Sequence, residues 1–133
     1  MKKVSFDFDS TLSREDVQEF ASELINLGFD VWVVTSRFSN EVGEKNNWPW
    51  IIKNNQELYE ACDKLNIPRK NIIFTSMIDK IEFLKDKGFL FHLDDDELEL
   101  EFIEESGDSC QGVWVELKDW KEKCEKICMK KIV

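Results

Sequence analysis

Histidine and paired cysteines are scarce in this chain. His92 is the only histidine, and the four cysteines, at positions 62, 110, 124 and 128, include no Cys-x-x-Cys pair. Structural zinc sites are built from such groups at close spacing, so the sequence does not favour one. We expect the cysteines to be small apolar residues of a protein in a reducing compartment. We expect His92, which lies inside an apolar stretch, to be a hydrogen-bonded buried histidine.

Long hydrophobic runs are also missing. A membrane-spanning helix needs about 20 consecutive apolar residues, and no segment approaches that length. The N-terminal residues MKKVSFDFDS include two lysines, but Asp7 and Asp9 interrupt the apolar run that a signal peptide requires. We therefore expect a soluble, cytoplasmic protein with no membrane partner.

Basic residues are fewer than acidic residues in this chain. The chain has 18 lysines and arginines against 28 acidic residues, a formal charge of -10. This charge repels the phosphate backbone of nucleic acid, so we expect no nucleic-acid partner. The 133 residues fit a single domain, residues 1–133, and we expect a monomer.

Apolar segments typical of buried strands alternate with segments of helical periodicity. The strands are predicted at 2–8, 29–35, 71–76, 89–93 and 112–117, whereas 97–105 fits a strand or a helix. The helices are predicted from Ser13 to Gly28, from about Asn55 to Pro68, after a cap at Ser76, and around Trp120. Helical crossovers between strands indicate a doubly wound, Rossmann-like α/β domain with a central five-stranded parallel sheet.

Polar side chains follow several of these strands. In such folds ligands bind outside the carboxyl ends of the strands, so these side chains should converge. They are Asp7 and Asp9 after the first strand, Thr35 and Ser36 after the second, and Asp94 and Asp95 after the fourth. Lys80, near the start of the helix after the third strand, would face them. A hard cation with oxygen ligands would offset such a cluster, and Mg2+ fits best.

A carboxylate in such a site can attack phosphorus, provided that positive charge lets one anion approach another. A second carboxyl group can protonate the leaving oxygen and then accept a proton from water. Asp7 and Asp9, one residue apart, suit this pair of roles.

The same residues resemble the haloacid dehalogenase (HAD) superfamily of phosphotransferases. DFDST at 7–11 is similar to the first motif, usually DxDGT, and VVTS at 33–36, Lys80 and the Asp94–Asp95 pair resemble the other three in order. The resemblance covers residues 4–96.

The resemblance implies a role for each matching position. Asp7 would be the nucleophile and a Mg2+ ligand, and Asp9 the general acid and base, with its main-chain carbonyl on the metal. Thr35, or Ser36 after a one-residue slip, would bind phosphoryl oxygens. Lys80 would balance the charge of the phosphorylated intermediate, and Asp94 would hold the metal with support from Asp95.

Three features depart from the common pattern. Position 10 is serine, as in members resembling phosphoserine phosphatase, but a helix beginning at Ser13 leaves no room for their helical cap. The triple aspartate at 94–96 leaves the metal ligand uncertain by one position. Residues 37–54 form an unusually long connection beside the expected site.

The 37–54 connection supplies candidate substrate-binding residues. Trp48 and Trp50 flank Pro49 and either cover the site or simply pack the loop onto the core. Arg37 either grips a phosphate or carboxylate or forms a surface salt bridge.

The sequence thus predicts a nearly capless, Mg2+-dependent HAD-like phosphatase acting on a phosphorylated small molecule, a metabolite or nucleotide. An alternative is a HAD-fold binding or regulatory protein with little or no turnover. A response-regulator receiver domain fits less well. The pattern that resembles receivers has its lysine after all the aspartates and the hydroxyl residue, whereas Lys80 precedes the final acidic cluster.

Overall fold

Buried strands and amphipathic helices alternate along the chain. The computed structural model describes the backbone of residues 2–132 and the side chains of residues 2–129. The strands are β1 (Lys3–Phe6), β2 (Asp30–Thr35), β3 (Ile72–Phe74), β4 (Phe89–Asp94) and β5 (Gln111–Trp114). The helices are α1 (Glu15–Asn26), α2 (Asn40–Lys45), α3 (Pro49–Leu65), α4 (Ile81–Leu84), α5 (Glu97–Ser106) and α6 (Trp120–Ile132).

The five strands form one sheet in the order β3-β2-β1-β4-β5, with every neighbouring pair parallel. The central strand, β1, therefore ends between the ends of β2 and β4. This arrangement confirms the predicted Rossmann-like, doubly wound α/β fold with a five-stranded parallel sheet.

Helices cover both faces of this sheet. Successive side chains of a strand point to opposite faces, so β1 presents Val4 and Phe6 to one face and Ser5 to the other. Val4 and Phe6 belong to a buried cluster with residues of α1, α3 and α6. A second cluster on α4 and α5 includes Leu84 and Ile103. With both faces covered, the carboxyl edge of the sheet remains as the place for a site.

The first helix begins later than predicted. Ser13 is not its N-cap, because its hydroxyl instead accepts a hydrogen bond from the backbone N–H of Ser10 at 3.1 Å. Residues 8–12 form one wide turn, in which the N–H of Leu12 donates to the carbonyl of Asp7 at 3.0 Å. Helix α1 starts only after Arg14, whose backbone is extended.

The prediction of a long loop at 37–54 is wrong. Ser39 caps α2, its hydroxyl accepting a hydrogen bond from the N–H of Val42 at 3.3 Å. Helix α3 begins at Pro49, six residues before the predicted start near Asn55. Proline is well suited to the first helical position, since its fixed φ matches the helix and the missing N–H has no partner there.

Other boundaries differ by smaller amounts. The ambiguous segment 97–105 is helical, because the Asp96 carboxylate caps α5 by accepting hydrogen bonds from the N–H groups of Leu98 and Glu99. Ser76 does not cap α4; its φ is +54°, and Lys80 immediately precedes the helix. Strand β5 ends at Trp114, three residues before the predicted end.

Candidate functional site

The carboxyl ends of β1, β2 and β4 bring the predicted polar residues to one edge. Asp7 follows β1 directly, and its N–H donates to the carbonyl of Leu93 on β4 at 2.9 Å. Asp94 is the last residue of β4, and Thr35 is the last residue of β2. Asp7, Thr35 and Asp94 are all buried.

Lys80 joins two of these aspartates. Its ammonium group donates to Oδ1 of Asp7 at 2.8 Å and to Oδ2 of Asp94 at 2.7 Å. All three side chains are almost completely removed from solvent. Burial alone would lower the pKa of Lys80, but the two carboxylates outweigh it and raise that pKa. Lys80 is therefore a permanent positive charge within the site.

Asp95 completes a cluster of carboxylates. Asp7, Asp94 and Asp95 each offer an oxygen, and these oxygens lie within 4.8 Å of one another. Three carboxylates against the single ammonium of Lys80 leave two negative charges. Burial, followed by repulsion from Asp94, raises the pKa of Asp7 well above its usual value. Burial also raises the pKa of Asp95.

These features fit a divalent cation. The oxygen donors are of the kind that Mg2+ and Ca2+ prefer, and a charge of +2 would balance the cluster. Without such an ion, the raised pKa values of Asp7 and Asp95 mean that the cluster favours binding a proton instead. The donor set does not by itself distinguish Mg2+ from other hard cations.

Two hydrogen bonds in series connect Asp94 to His92 and His92 to Ser5. Nε2 of His92 lies 2.7 Å from Oδ2 of Asp94, and Nδ1 lies 2.6 Å from the Ser5 hydroxyl. Burial lowers the pKa of His92, so we assign a neutral imidazole that donates from Nε2 and accepts from Ser5. Burial raises the pKa of Asp94. The hydrogen bond to His92 and the positive charge of Lys80 outweigh burial and hold this pKa below its usual value.

The expectation of a buried, hydrogen-bonded His92 is confirmed. Its link to Asp94, and the part that Ser5 plays in it, did not emerge from the sequence. The available signal was the presence of polar residues in two otherwise apolar strands, since Ser5 and His92 are register partners. Glu99 was also missed: its carboxylate accepts the backbone N–H of Lys80 at 2.8 Å and so fixes the start of α4.

Asp9 lies apart from the cluster of side-chain carboxylates. It belongs to the wide turn at 8–12, where Ser10 has φ +58° and ψ 13°. Glycine adopts this left-handed conformation more readily than other residues, so Ser10 occupies a backbone conformation that favours glycine. The Asp9 side chain is 57% exposed and turns toward Arg37.

Arg37 binds Asp9 through two parallel hydrogen bonds. Its Nε donates to Oδ2 of Asp9 at 3.0 Å, and Nη2 donates to Oδ1 at 2.6 Å. Nη2 also donates to Glu57 at 2.8 Å, and Nη1 to the carbonyl of Asn54 at 2.7 Å. The sequence left two interpretations of Arg37 open, a grip on a substrate anion or a salt bridge, and the structure contains the salt bridge. Its partner, Asp9, is itself one of the predicted site residues.

Thr35 and Ser36 lie at the end of β2, as predicted. The hydroxyl of Thr35 accepts the backbone N–H of Arg37 at 3.3 Å, and its carbonyl accepts the N–H of Thr75 at 2.8 Å. Thr35 is buried, whereas Ser36 is partly exposed. The turn after β2 is thereby tied to the end of β3.

Trp48 and Trp50 do not pack the 37–54 segment onto the core. They are 40% and 56% exposed, respectively. Their rings stack with centroids 6.2 Å apart, and Phe38 contacts Trp48 edge to face at the same distance. The segment therefore presents an exposed aromatic group on α2–α3 rather than a buried plug.

A cleft of about 400 Å³ lies between the turn after β2 and α3. It is lined by Arg37, Phe38, Trp50, Ile51, Asn54, Asn55 and Glu57. Arg37 connects this cleft to Asp9. A larger groove of about 790 Å³ lies between α5 and β5, but none of the candidate site residues lines it.

Comparisons with protein-family models, curated proteins and solved structures give no match for this chain. Fold and site together define an α/β Rossmann-like protein with a lysine–carboxylate cluster at the carboxyl edge of its sheet. Within the part of the chain that the structure describes, no helix has the length and apolarity needed to cross a bilayer.

Proposed function

We propose that this protein is a HAD-like, Mg2+-dependent phosphatase that hydrolyses a small phosphomonoester through an aspartyl-phosphate on Asp7. The observation that carries the proposal is the buried Lys80 ammonium, bound to both Asp7 and Asp94 at the carboxyl edge of the sheet. A fixed cation beside a carboxylate is what attack by that carboxylate on an anionic phosphoryl group requires.

Asp7, Asp94 and Asp95 would hold the metal, since their oxygens are clustered and carry uncompensated charge. When bound, Mg2+ supplies positive charge that favours ionised Asp7 and offsets the charge of the phosphoryl oxygens. His92 and Ser5 keep Asp94 ionised and fix its orientation from beneath the site.

The chain's own residues account for the remaining steps. An oxygen of Asp7 attacks phosphorus while the bond to the leaving-group oxygen breaks, and Asp9 gives that oxygen a proton. Water then attacks the aspartyl-phosphate, Asp9 accepts a proton from the water, and inorganic phosphate leaves with Asp7 regenerated. Throughout, Lys80 stabilises the negative charge shared between Asp7 and the phosphoryl group.

The role of Asp9 requires a local rearrangement. Both carboxylate oxygens of Asp9 accept hydrogen bonds from Arg37, so Asp9 must turn from Arg37 toward the leaving group before it donates a proton. Its exposed position in the turn leaves room for this rotation.

The Arg37–Asp9 pair also supports a second candidate function, that of a HAD-fold binding protein with little or no turnover. If Asp9 remains bound to Arg37, the site retains its metal ligands and lacks a proton donor. We also propose that the protein is a cytoplasmic monomer; its four cysteines, which are all free and buried, fit the reducing compartment of this proposal.

Hydrolysis of p-nitrophenyl phosphate tests the proposal. The wild type should be active with Mg2+ and inactive with a chelator, whereas Asp7→Asn should be inactive in both conditions. After acid quenching, intact-mass measurement should detect one phosphoryl group on the wild type and none on Asp7→Asn.

Asp119→Asn is the matched control, because Asp119 is an exposed acid in a surface pair with Lys123. It should retain wild-type activity. Equal rates in the wild type and Asp7→Asn would refute the proposal, and Mg2+ binding without turnover would favour the binding protein.

A further inference from the structure

The aromatic cleft adjoins the candidate site through one residue, Arg37. Arg37 lines the cleft and at the same time binds the carboxylate of Asp9, the proposed proton donor to the leaving oxygen. The part of a substrate that follows this oxygen would therefore be directed past Arg37 into the space between Phe38 and Trp50.

The walls of the cleft are fixed by hydrogen bonds within the protein. The Asn55 side chain, which is buried, donates to the carbonyl of Phe38 at 2.9 Å and to Oδ1 of Asn40 at 3.0 Å. Arg37 is held by Asn54 and by Glu57 on α3. Trp50 stacks on Trp48. The cleft is thus largely formed before a ligand arrives, which lowers the entropic cost of binding.

The chemistry of the walls selects for a flat ring with polar edges. Trp50 and Phe38 offer aromatic faces, and the Arg37 guanidinium offers a planar cation, all of which stack on heteroaromatic rings. The Glu57 carboxylate and the Asn54 amide can pair with ring N–H and nitrogen acceptors. The volume of about 400 Å³ lies within the usual range for small-ligand sites.

From these observations we infer that the cleft binds the base of a nucleoside monophosphate, whose phosphate lies at Asp7 and Lys80. The inference rests on the proposed function and specifies its substrate class. A polynucleotide is disfavoured because the formal charge of -10 repels a long phosphate backbone, whereas a mononucleotide brings a single phosphate to the buried Lys80. A sugar phosphate would leave the aromatic faces without a partner.

Binding measurements on Asp7→Asn, which should not turn over substrate, test the inference without relying on catalysis. Isothermal titration with adenosine 5′-monophosphate and with ribose 5-phosphate, both with Mg2+, compares two ligands that share the sugar phosphate; the second has a hydroxyl group where the first has its base. The nucleotide should bind about ten-fold more tightly, as expected for one base stacked on an aromatic ring.

Adding Trp50→Ala should remove this preference by weakening the nucleotide about ten-fold and leaving ribose 5-phosphate unchanged, whereas Trp50→Phe should restore most of it. Leu27→Ala is the control, since Leu27 is 74% exposed and follows α1 at the opposite edge of the sheet; it should change neither affinity.

Equal affinities for the two ligands, or equal losses for both in Trp50→Ala, would overturn the inference. These outcomes would leave the phosphatase proposal standing, because that proposal is judged by p-nitrophenyl phosphate hydrolysis. Conversely, base-dependent binding in a protein that hydrolyses nothing would retain the cleft assignment and reject the enzyme.

Discussion

Nε2 of His92 lies 2.7 Å from Oδ2 of Asp94, and both side chains are completely buried. The other nitrogen of this imidazole is occupied by the Ser5 hydroxyl. A buried carboxylate therefore has its orientation set by a side chain from its own strand and, through that side chain, by the central strand β1. Four predictions concern the contacts of the candidate site, and a fifth concerns a buried cysteine of α3.

Ser5→Ala should destabilise the protein by about 1–3 kcal/mol, because it leaves Nδ1 of His92 buried without a hydrogen-bond partner. Urea denaturation measures the change in the free energy of unfolding. Ser109→Ala, at an exposed position, should change it by less than about 0.5 kcal/mol. Equal effects of the two substitutions would mean that the Ser5–His92 hydrogen bond contributes nothing to stability.

Lys80→Met should destabilise the metal-free protein by about 3–5 kcal/mol, because it leaves Asp7 and Asp94 buried and facing each other without a cation. Adding Asp7→Asn should recover part of the loss, since it removes one of the two opposed charges. Chemical denaturation in a chelator measures both. If Lys80→Met alone is as stable as the wild type, the buried ion pairs are contradicted.

Saturating Mg2+ should raise the melting temperature. At about 100 times the dissociation constant, binding to the folded state alone adds about 2.7 kcal/mol to the free energy of unfolding. Asp94→Asn should lose this response in a thermal-shift experiment. Asp96→Asn should keep it, because the Asp96 side chain caps α5 and is outside the ligand cluster. Loss of the Mg2+ response in Asp96→Asn would mean that Asp96 is a metal ligand.

Arg37→Met should lower kcat/KM for p-nitrophenyl phosphate by about ten-fold or more, because Arg37 keeps the exposed Asp9 side chain beside the site, from where it turns to the leaving group. Glu57→Gln is the comparison, since Glu57 binds the same guanidinium but not Asp9. As a highly exposed partner, it should cost less than about five-fold. A rise in activity for Arg37→Met would show that the pair restrains Asp9 rather than positioning it.

Alkaline pH should destabilise the protein through Cys62. Burial raises the pKa of this thiol to about 12, whereas an unfolded cysteine has a pKa of about 8.5. Between these values the folded state binds more protons than the unfolded state, so stability falls as pH rises from about 8.5 toward 12.

By pH 10 the loss due to Cys62 should reach about 2 kcal/mol. Cys62→Ala removes this titration, so its stability should fall less than that of the wild type between pH 8 and pH 10 in urea denaturation. The small cavity that it creates costs the same at both pH values. Parallel losses in the two proteins would show that Cys62 does not titrate differently on folding.

The core of the candidate site was predictable because one topological rule brings it together. Asp7, Lys80, Asp94 and Asp95 each lie at or just after the end of a strand, or at the start of the following helix, and parallel strands place these positions at one edge. The rule concerns the order of elements rather than their lengths, so errors of one to three residues in strand ends did no harm.

The contacts beneath and beside the site were not predictable in the same way. Ser5 and His92 are far apart in the chain, and only the register between β1 and β4 pairs them. Asp96 and Asp94 are equivalent in the sequence, and their separation into helix cap and site residue depends on where α5 starts. For α2 and α3 the signals existed in Ser39 and Pro49, but the polar and aromatic composition of 37–54 obscured them.

The placement of the aromatic cleft on α3 and the turn before α2 separates two tasks along the chain. The acids and the lysine come from residues 7, 80, 94 and 95, whereas the cleft comes from residues 37–57. If the two proposals hold, changes at Phe38, Trp50 or Asn54 should alter which molecule is bound and leave the carboxylates and the lysine in place. Substitutions confined to this one stretch of chain would then be enough for related proteins to differ in specificity and still share the same lysine–carboxylate cluster.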